Sequence, residues 1–426
     1  MRRAIGVRQG LTCLLVAAAV AFVAASADAG ERVKIRYPNW QWGQSGFKDF
    51  FGEAAQAFEK ENPGFQIEGI SIPVGQYFDK MITEIQAGTP ADLIMLRGDN
   101  YHQFVGMGAL EPLDRWMDKA DIKKAYYPEQ RTFAEVDGKI YGLLVLNRTL
   151  QLLYNKAILR EAGVAVPKTQ EEFFEAAKKL TVRDKDGNVQ RYGAALMTTN
   201  ERDFYEFLLL FVVGYGGNFA KDGKPTATDP KTIEGVKLYK RFFDAEVIPK
   251  GMNRNQFRQL FWEGKVAMYP EGSWQWAAIE QTNKAILKDI DFAPVPWANH
   301  MSTGGAQNFL AIPKQAKHKE EAWKYLELIS RPEWQRRYAE LAQSIPGRQG
   351  AIDAAFLAKY PWFRPFLEGQ KSASAVSPPG LELVNEEFQK IVRDRVSEAL
   401  FRNRPVEQAM ADAQQDLERL VARKAR

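Results

Sequence analysis

A chain of 426 residues is too long for one ordinary domain and implies two or three. With 45% hydrophobic and 26% charged residues it is globular rather than disordered. Its 58 basic and 53 acidic residues nearly cancel to +5, and no basic block is dense enough to suggest nucleic acid.

The first element is not part of the fold. Arg2, Arg3 and Arg8 form a positive head, Leu11 to Ala25 is an apolar run, and Ala27-Asp28-Ala29 is a small-residue cleavage signature. The run falls short of the about 20 residues a spanning helix needs. Residues 1–29 therefore read as a cleavable export signal, and the mature chain is expected to begin near Gly30 in the periplasm. The one cysteine, Cys13, lies inside the signal, and Gly10-Leu11-Thr12 is a poor lipid-attachment box. The expectation is a soluble, monomeric protein without a lipid anchor or a disulfide.

Downstream, Val33, Ile35 and Tyr37 alternate as in a strand. Phe50, Phe51, Ala54, Ala57 and Phe58 recur at helical spacing until Asn62-Pro63-Gly64. A second strand ("FQIEGISIPV"), a second helix ("YFDKMITEIQAG") and a third strand ("ADLIMLRGDN") follow. This alternation predicts a parallel sheet with crossover helices, whose ligands sit beyond the carboxyl ends of the strands. Those ends are "NWQW" and "RGDN". Further on, Thr169 and Glu172 form a capping-box pattern, and Asp186-Gly187 turns a hairpin. Asp229 with Pro230 starts a helix whose apolar face is Ile233, Val236, Tyr239 and Phe243. "KVAMYP" is a short strand leading into "EGSWQW". The stretch Glu368 to Gly380 reads as a surface loop.

Catalytic patterns are sparse. His102, His300 and His318 are scattered, with no zinc-binding helix motif. There is no nucleophile elbow, no phosphate-binding lysine loop and no complete dinucleotide fingerprint. "DKDGN" resembles the start of a calcium loop, but Gly187 comes too early. No cofactor and no metal are expected. Some carboxylates of a glycan-cleaving pair will always lie close in a chain with 53 acids, so a secreted enzyme stays open on composition alone.

What stands out is aromatic and amide residues at predicted loops: Asn39, Trp40, Gln41, Trp42 and Gln44, then Asp99 and Asn100, then Trp274. Aromatic faces cover the C–H side of a sugar ring, and amides and carboxylates bond its hydroxyls. Core packing is the alternative for each tryptophan, and helix capping for Asp99. At Trp274 and Trp276 the two fates are expected to separate. If Gly272 turns the chain and Ser273 caps a helix, the two rings point about 200° apart. Trp274 then faces the cleft and Trp276 packs.

Taken together, these stretches resemble the extracellular solute-binding proteins (family 1) of bacterial ABC importers, the carbohydrate-binding group of the maltose-binding type. "GTPADLIMLRGDNYHQFVGMGALEPLD", "YGLLVLNRTLQLLYNKAILREAGVAVPKTQEEFFEAAKKL", "FWEGKVAMYPEGSWQW", "STGGAQNFLAIPKQAKHKEEAWKYLELISRPEWQ" and "SIPGRQGA" occur in the family's order. The resemblance implies an α/β fold of the two-lobed periplasmic binding protein type II, with the ligand cleft between lobes. It divides the chain into lobe 1, 30–142 plus 303–345, and lobe 2, 143–302 plus 346–426. It implies a ligand set of Asn39, Trp40, Gln41, Gln76, Tyr77, Asp99, Asn100, Asn147, Arg148, Arg202, Tyr205, Trp274, Gly304, Gly305 and Arg348. The partners implied are a sugar or polyol and the membrane permease. The late aromatic that lines long-maltodextrin clefts has no counterpart in "SPPGLELVNEEF", which favours a smaller ligand. An anionic ligand such as glycerol 3-phosphate, held by Arg148, Arg202 and Arg348, is the alternative.

Overall fold

The computed structural model describes residues 32–126, 133–297, 299 and 302–424, so the export signal assigned to residues 1–29 lies outside them. Two hydrophobic cores account for the buried apolar side chains. One gathers Ile35, Phe50, Phe51, Leu93 to Leu96, Leu143 to Leu146 and Phe309. The other gathers Leu150, Leu152, Phe204 to Val213, Tyr239, Met268 and Val392.

The first core follows the alternation read from the sequence. Strand Val33–Asn39 pairs in parallel with Phe65–Ser71, and the crossover helix Phe47–Glu61 buries Phe50, Phe51, Ala54 and Phe58 in the first core. The third strand, Ile94–Arg97, joins differently. It pairs antiparallel with Thr303–Ala311, the strand on which the chain returns late in the sequence. Its lead-in stays tied to the first strand, because Asp92 N and Leu93 N both donate to Arg36 O. The parallel arrangement therefore holds for the first pair, and a distant strand completes the layer.

That returning strand lies in a five-stranded sheet ordered Ile345–Pro346, Leu143–Thr149, Thr303–Ala311, Ser374–Ala375, with Ile94–Arg97 also on the third. In the first three of these the chain passes between the cores. Leu146 belongs to one core and Leu150 to the other, and Ala342 and Ile345 divide likewise. The stretch predicted as a plain loop, Glu368 to Gly380, is corrected here. Its Ser374 and Ala375 pair in parallel with Thr303 and Gly304, because the sheet edge offers them backbone partners.

The second core wraps an antiparallel sheet ordered Met268–Glu271, Gln151–Asn155, Ile290–Ala293. Helix Arg202–Gly214 runs through it and is buried at every position from Phe204 onward. Asp229 caps helix Pro230–Asp244 through Lys231 N, and Val182–Arg183 pairs with Val189–Arg191 across the Asp186-Gly187 turn. The capping box at Thr169 is half made. Thr169 Oγ1 accepts from Glu172 N, but the Glu172 carboxylate takes Lys168 N instead of closing back on Thr169.

Gly235 sets how closely two of these helices approach. A β-carbon there would stand 2.5 Å from Val212 Cα and 2.8 Å from its nitrogen, backbone that has nowhere to move. Gly235→Ala is therefore expected to destabilise by about 1–3 kcal/mol through overpacking, although alanine is the better helix former. Urea melts decide it, and an unchanged or raised midpoint counts against the close contact. Among the described residues no helix is long and apolar enough to cross a membrane.

Candidate functional site

Between the two cores lies a cleft of about 660 Å³, within the roughly 300–1,000 Å³ of small-molecule sites. Trp40, Gln41, Gln44, Arg97 and Asn308 line it from one side. Asp203, Arg254, Arg258, Trp262, Trp274 and Gln275 line it from the other, and Arg148 reaches it from a crossing strand.

Trp274 stands where strand Met268–Glu271 ends. Its ring is half-buried and touches apolar residues of both cores. The local geometry corrects two expectations. Helix Gln275–Thr282 begins one residue later than anticipated, with Trp274 itself at the cap position and no side-chain cap from Ser273. A β-carbon at Gly272 would fall 1.9 Å from the outer edge of the Trp274 ring, so any larger residue there would push that ring aside. Trp276 points elsewhere and stacks on Trp362, centroids 4.5 Å apart and planes 12° from parallel.

Trp40 is the second aromatic on the cleft. The Asn39 carboxamide oxygen accepts from Gln41 N at 2.6 Å and Trp42 N at 3.0 Å, fixing the turn that presents it. Tyr77 supports Trp40 from behind, edge-on at 5.2 Å. The Tyr77 hydroxyl donates to Pro38 O and accepts from Met95 N, so this residue is fully buried. Trp42 packs inward, its Nε1 donating to Tyr37 O at 2.9 Å.

Beside Trp274 lies a cluster of charges that residue spacing did not reveal. Glu271, with no exposed surface, accepts from Arg254 at 2.8 Å, Arg258 at 2.7 Å and Gly272 N at 2.8 Å. Arg148 and Glu206 pair at 2.7 Å with side chains 6% and 2% exposed. Asp203 meets Arg254 at 3.3 Å and Arg97, from the opposite wall, at 3.4 Å. Burial pushes the Glu271 carboxyl up, but Arg254 and Arg258 outweigh it and hold it below the ordinary carboxylate range. Asp203 is held down likewise, by Arg97 and Arg254 against burial. Arg254 sits at the first position of helix Arg254–Trp262, where the helix dipole disfavours a cation. Replacing a buried ion cluster by apolar residues is often neutral for stability, while removing one partner alone is costly, so the members of this cluster depend on one another. Asn253 and Gln256 close a full capping box at this helix start.

The other anticipated residues scatter. Asn100 is buried and accepts from Arg202 at 2.8 Å, and Arg202 also pairs with Glu386. Asn147 is buried in its crossing strand, its oxygen on Arg148 N. Gln76 is exposed on helix Val74–Gln86, off the cleft wall. Tyr205 has no exposed surface and packs on Phe219 inside the second core. Gly304 and Gly305 pair with Thr149 and Arg148, knitting two crossing strands together. Arg348 donates to Ser330 O, away from the cleft. Asp99 lies in helix Gly98–Gly106, and its side chain is outside the described set. Of the three arginines considered for an anion, only Arg148 lines the cleft. Among the described residues no group of His, Cys, Asp and Glu is placed to hold a metal.

The model of the bacterial extracellular solute-binding proteins matches residues 53–365. A Brucella abortus binding protein is 27% identical over 346 residues, 80% of this chain and 82% of that one. The diacetylchitobiose-binding protein of Streptomyces coelicolor is 26% identical over 341 residues, 75% of this chain and 74% of its own. Among solved structures, a solute-binding protein of Thermotoga lettingae bound to α-D-tagatose superposes with a TM-score of 0.81. It is 23% identical and covers 92% of this chain and 100% of its own. The fold is thus the α/β periplasmic binding protein fold.

Proposed function

The chain belongs to the bacterial extracellular solute-binding protein family, and from that premise we propose that it captures a sugar, short oligosaccharide or polyol for an ABC importer. The observation that carries this is the meeting of Trp40 and Trp274 in one cleft rimmed by amides and fixed charges. Rings of that kind take the apolar face of a pyranose, and the polar rim takes its hydroxyls. The family binds solutes and delivers them; it does not turn them over, so the secreted-enzyme alternative is set aside.

The two cores support a two-lobed division, drawn as 30–142 with 303–345 and 143–302 with 346–426 and crossings near Asn147, Thr303 and Pro346; Leu143 to Leu146 pack in the first core, so the first break falls after Leu146, and Ile345 already packs in the second. Ligand contacts to both walls would then favour the closed arrangement over an open one. Of the ligand set, Trp40, Gln41, Arg148 and Trp274 are our proposed contacts, joined by Gln44, Arg97, Asp203 and Arg254. The partner is the permease of the importer at the inner membrane, met by a monomer in the periplasm. Export through a cleaved, unacylated N-terminus near Gly30 completes the reading. Mass spectrometry of the exported protein checks that end, and an acylated terminal cysteine would sink it.

The direct test is a thermal-shift screen against mono- and disaccharides and polyols. A true ligand at 100 times its dissociation constant adds about 2.7 kcal/mol. Silence across all of them, with an amino-acid or peptide series shifting the melt, overturns the carbohydrate reading.

A further inference from the structure

The cleft wall that begins at Trp274 has a second aromatic end. Helix Arg254–Trp262 places Arg254, Arg258 and Trp262 at i, i+4 and i+8, one stripe along its length, and all three line the cleft. Phe257 and Phe261, with no exposed surface, carry the core face of this helix. Trp262 follows Phe261 and is turned about 100° away from it, onto the cleft stripe. Its ring is partly buried and also touches the second core. Its Nε1 is buried without a hydrogen-bond partner among the described residues, whereas a buried tryptophan N–H usually has one. The helices set the distance between the two rings' positions. The guanidinium carbon of Arg254 lies 5.7 Å from the centre of the Trp274 ring. Trp262, at i+8, stands about 12 Å further along the helix axis. Helix Gln275–Thr282 covers the same interval: it starts beside Trp274, and Asn283 at its end donates to Trp262 O at 3.1 Å.

Resting on the reading that the cleft holds a saccharide, we propose that this saccharide is a chain of linked units: one unit stacks on Trp274 and a later one on Trp262, whose Nε1 donates to one of its hydroxyls. A single pyranose or a polyol is shorter than the span and reaches one ring or the other. Arg258 at the middle of the stripe and Gln259 near its end put hydrogen-bonding groups along the path between them. Trp262 thus supplies a far platform of the kind that "SPPGLELVNEEF" lacks. The preference for a smaller ligand drawn from that absence gives way to a short oligosaccharide.

Calorimetry on the mature protein tests this with length series: glucose, galactose, mannose, xylose and N-acetylglucosamine, each beside its linked di- and trisaccharides. In the series that binds, the expected result is an affinity at least tenfold tighter for the di- or trisaccharide than for the monosaccharide. Trp262→Leu keeps apolar bulk against the core and should bring that ratio towards one. Trp262→Phe keeps a ring face and should retain most of it. A merely structural role would lower all affinities together and leave the ratio alone in both variants, and that result overturns the proposal. The wild-type protein gives a readout that does not depend on how the variants fold. The Trp262 indole N–H signal in NMR should move on adding the trisaccharide and stay in place with the monosaccharide. An unmoved signal with bound trisaccharide overturns the proposal. A monosaccharide that binds as tightly as its longer forms also overturns it, while leaving sugar capture intact. Binding by no member of any series removes this proposal and the carbohydrate reading together.

Discussion

Glu271→Gln is expected to lower folding stability by about 3–5 kcal/mol, the cost of leaving buried cations without their counter-charge. Glu271 has no exposed surface and holds both Arg254 and Arg258. The amide keeps the shape and one acceptor, but it removes the charge that makes two guanidiniums tolerable there. The loss should depend on pH. A carboxyl held below its ordinary value stabilises the folded state above the unfolded pKa of about 4.3, and that contribution fades as pH falls through the folded value. The gap between wild type and variant should thus be widest at neutral pH and close progressively below about pH 4. Urea melts from pH 7 to pH 3 measure it. A gap of constant size would mean that Glu271 acts by packing and not by charge.

Trp274→Ala should weaken ligand binding by about 2 kcal/mol or more, roughly thirtyfold, as loss of a central aromatic anchor does. Part of its ring already touches both cores, so some loss of stability is expected too. The contrast with Trp276→Ala makes the result interpretable. That substitution removes a ring stacked on Trp362, on a different surface from the cleft. It should cost stability, about 2 kcal/mol for a half-buried tryptophan, and leave affinity in place. Calorimetry and denaturant melts on both variants decide it. If Trp274→Ala binds normally and only melts early, the ring is core and the cleft needs another platform.

The parts of this molecule legible in the sequence are those set by near neighbours along the chain. Thr169, Asp229 and the Asp186-Gly187 turn act within a few residues, and each stands where the pattern put it, although the box at Thr169 closes on one side only. Trp40 and Trp274 were visible because large rings beside turns are conspicuous. The charge cluster was not, for a physical reason. Arg97, Arg148, Glu206, Arg254 and Glu271 are far apart in the chain, and each alone looks like surface. Only folding reveals that they share one desolvated corner. Tyr77 and Tyr205 mark the opposite error. Each adjoins residues near the cleft in sequence, but its hydroxyl turns into a core, where Tyr77 braces the turn that carries Trp40.

The three crossing strands do more than connect. Ile345–Pro346, Leu143–Thr149 and Thr303–Ala311 lie side by side, with Asn147 in register with both Ile345 and Ala306. Three tethers hydrogen-bonded into one ribbon resist twisting and sliding, and leave bending across the ribbon as the soft direction. In the proposed two-lobed division the two bodies would then explore a narrow arc, where a single flexible linker would let them wander through a volume. Little orientational freedom is lost when they meet, and each wall stays at high effective concentration for the other. A small solute with few contacts can therefore tip the balance, because the ribbon has restricted the search before the solute arrives.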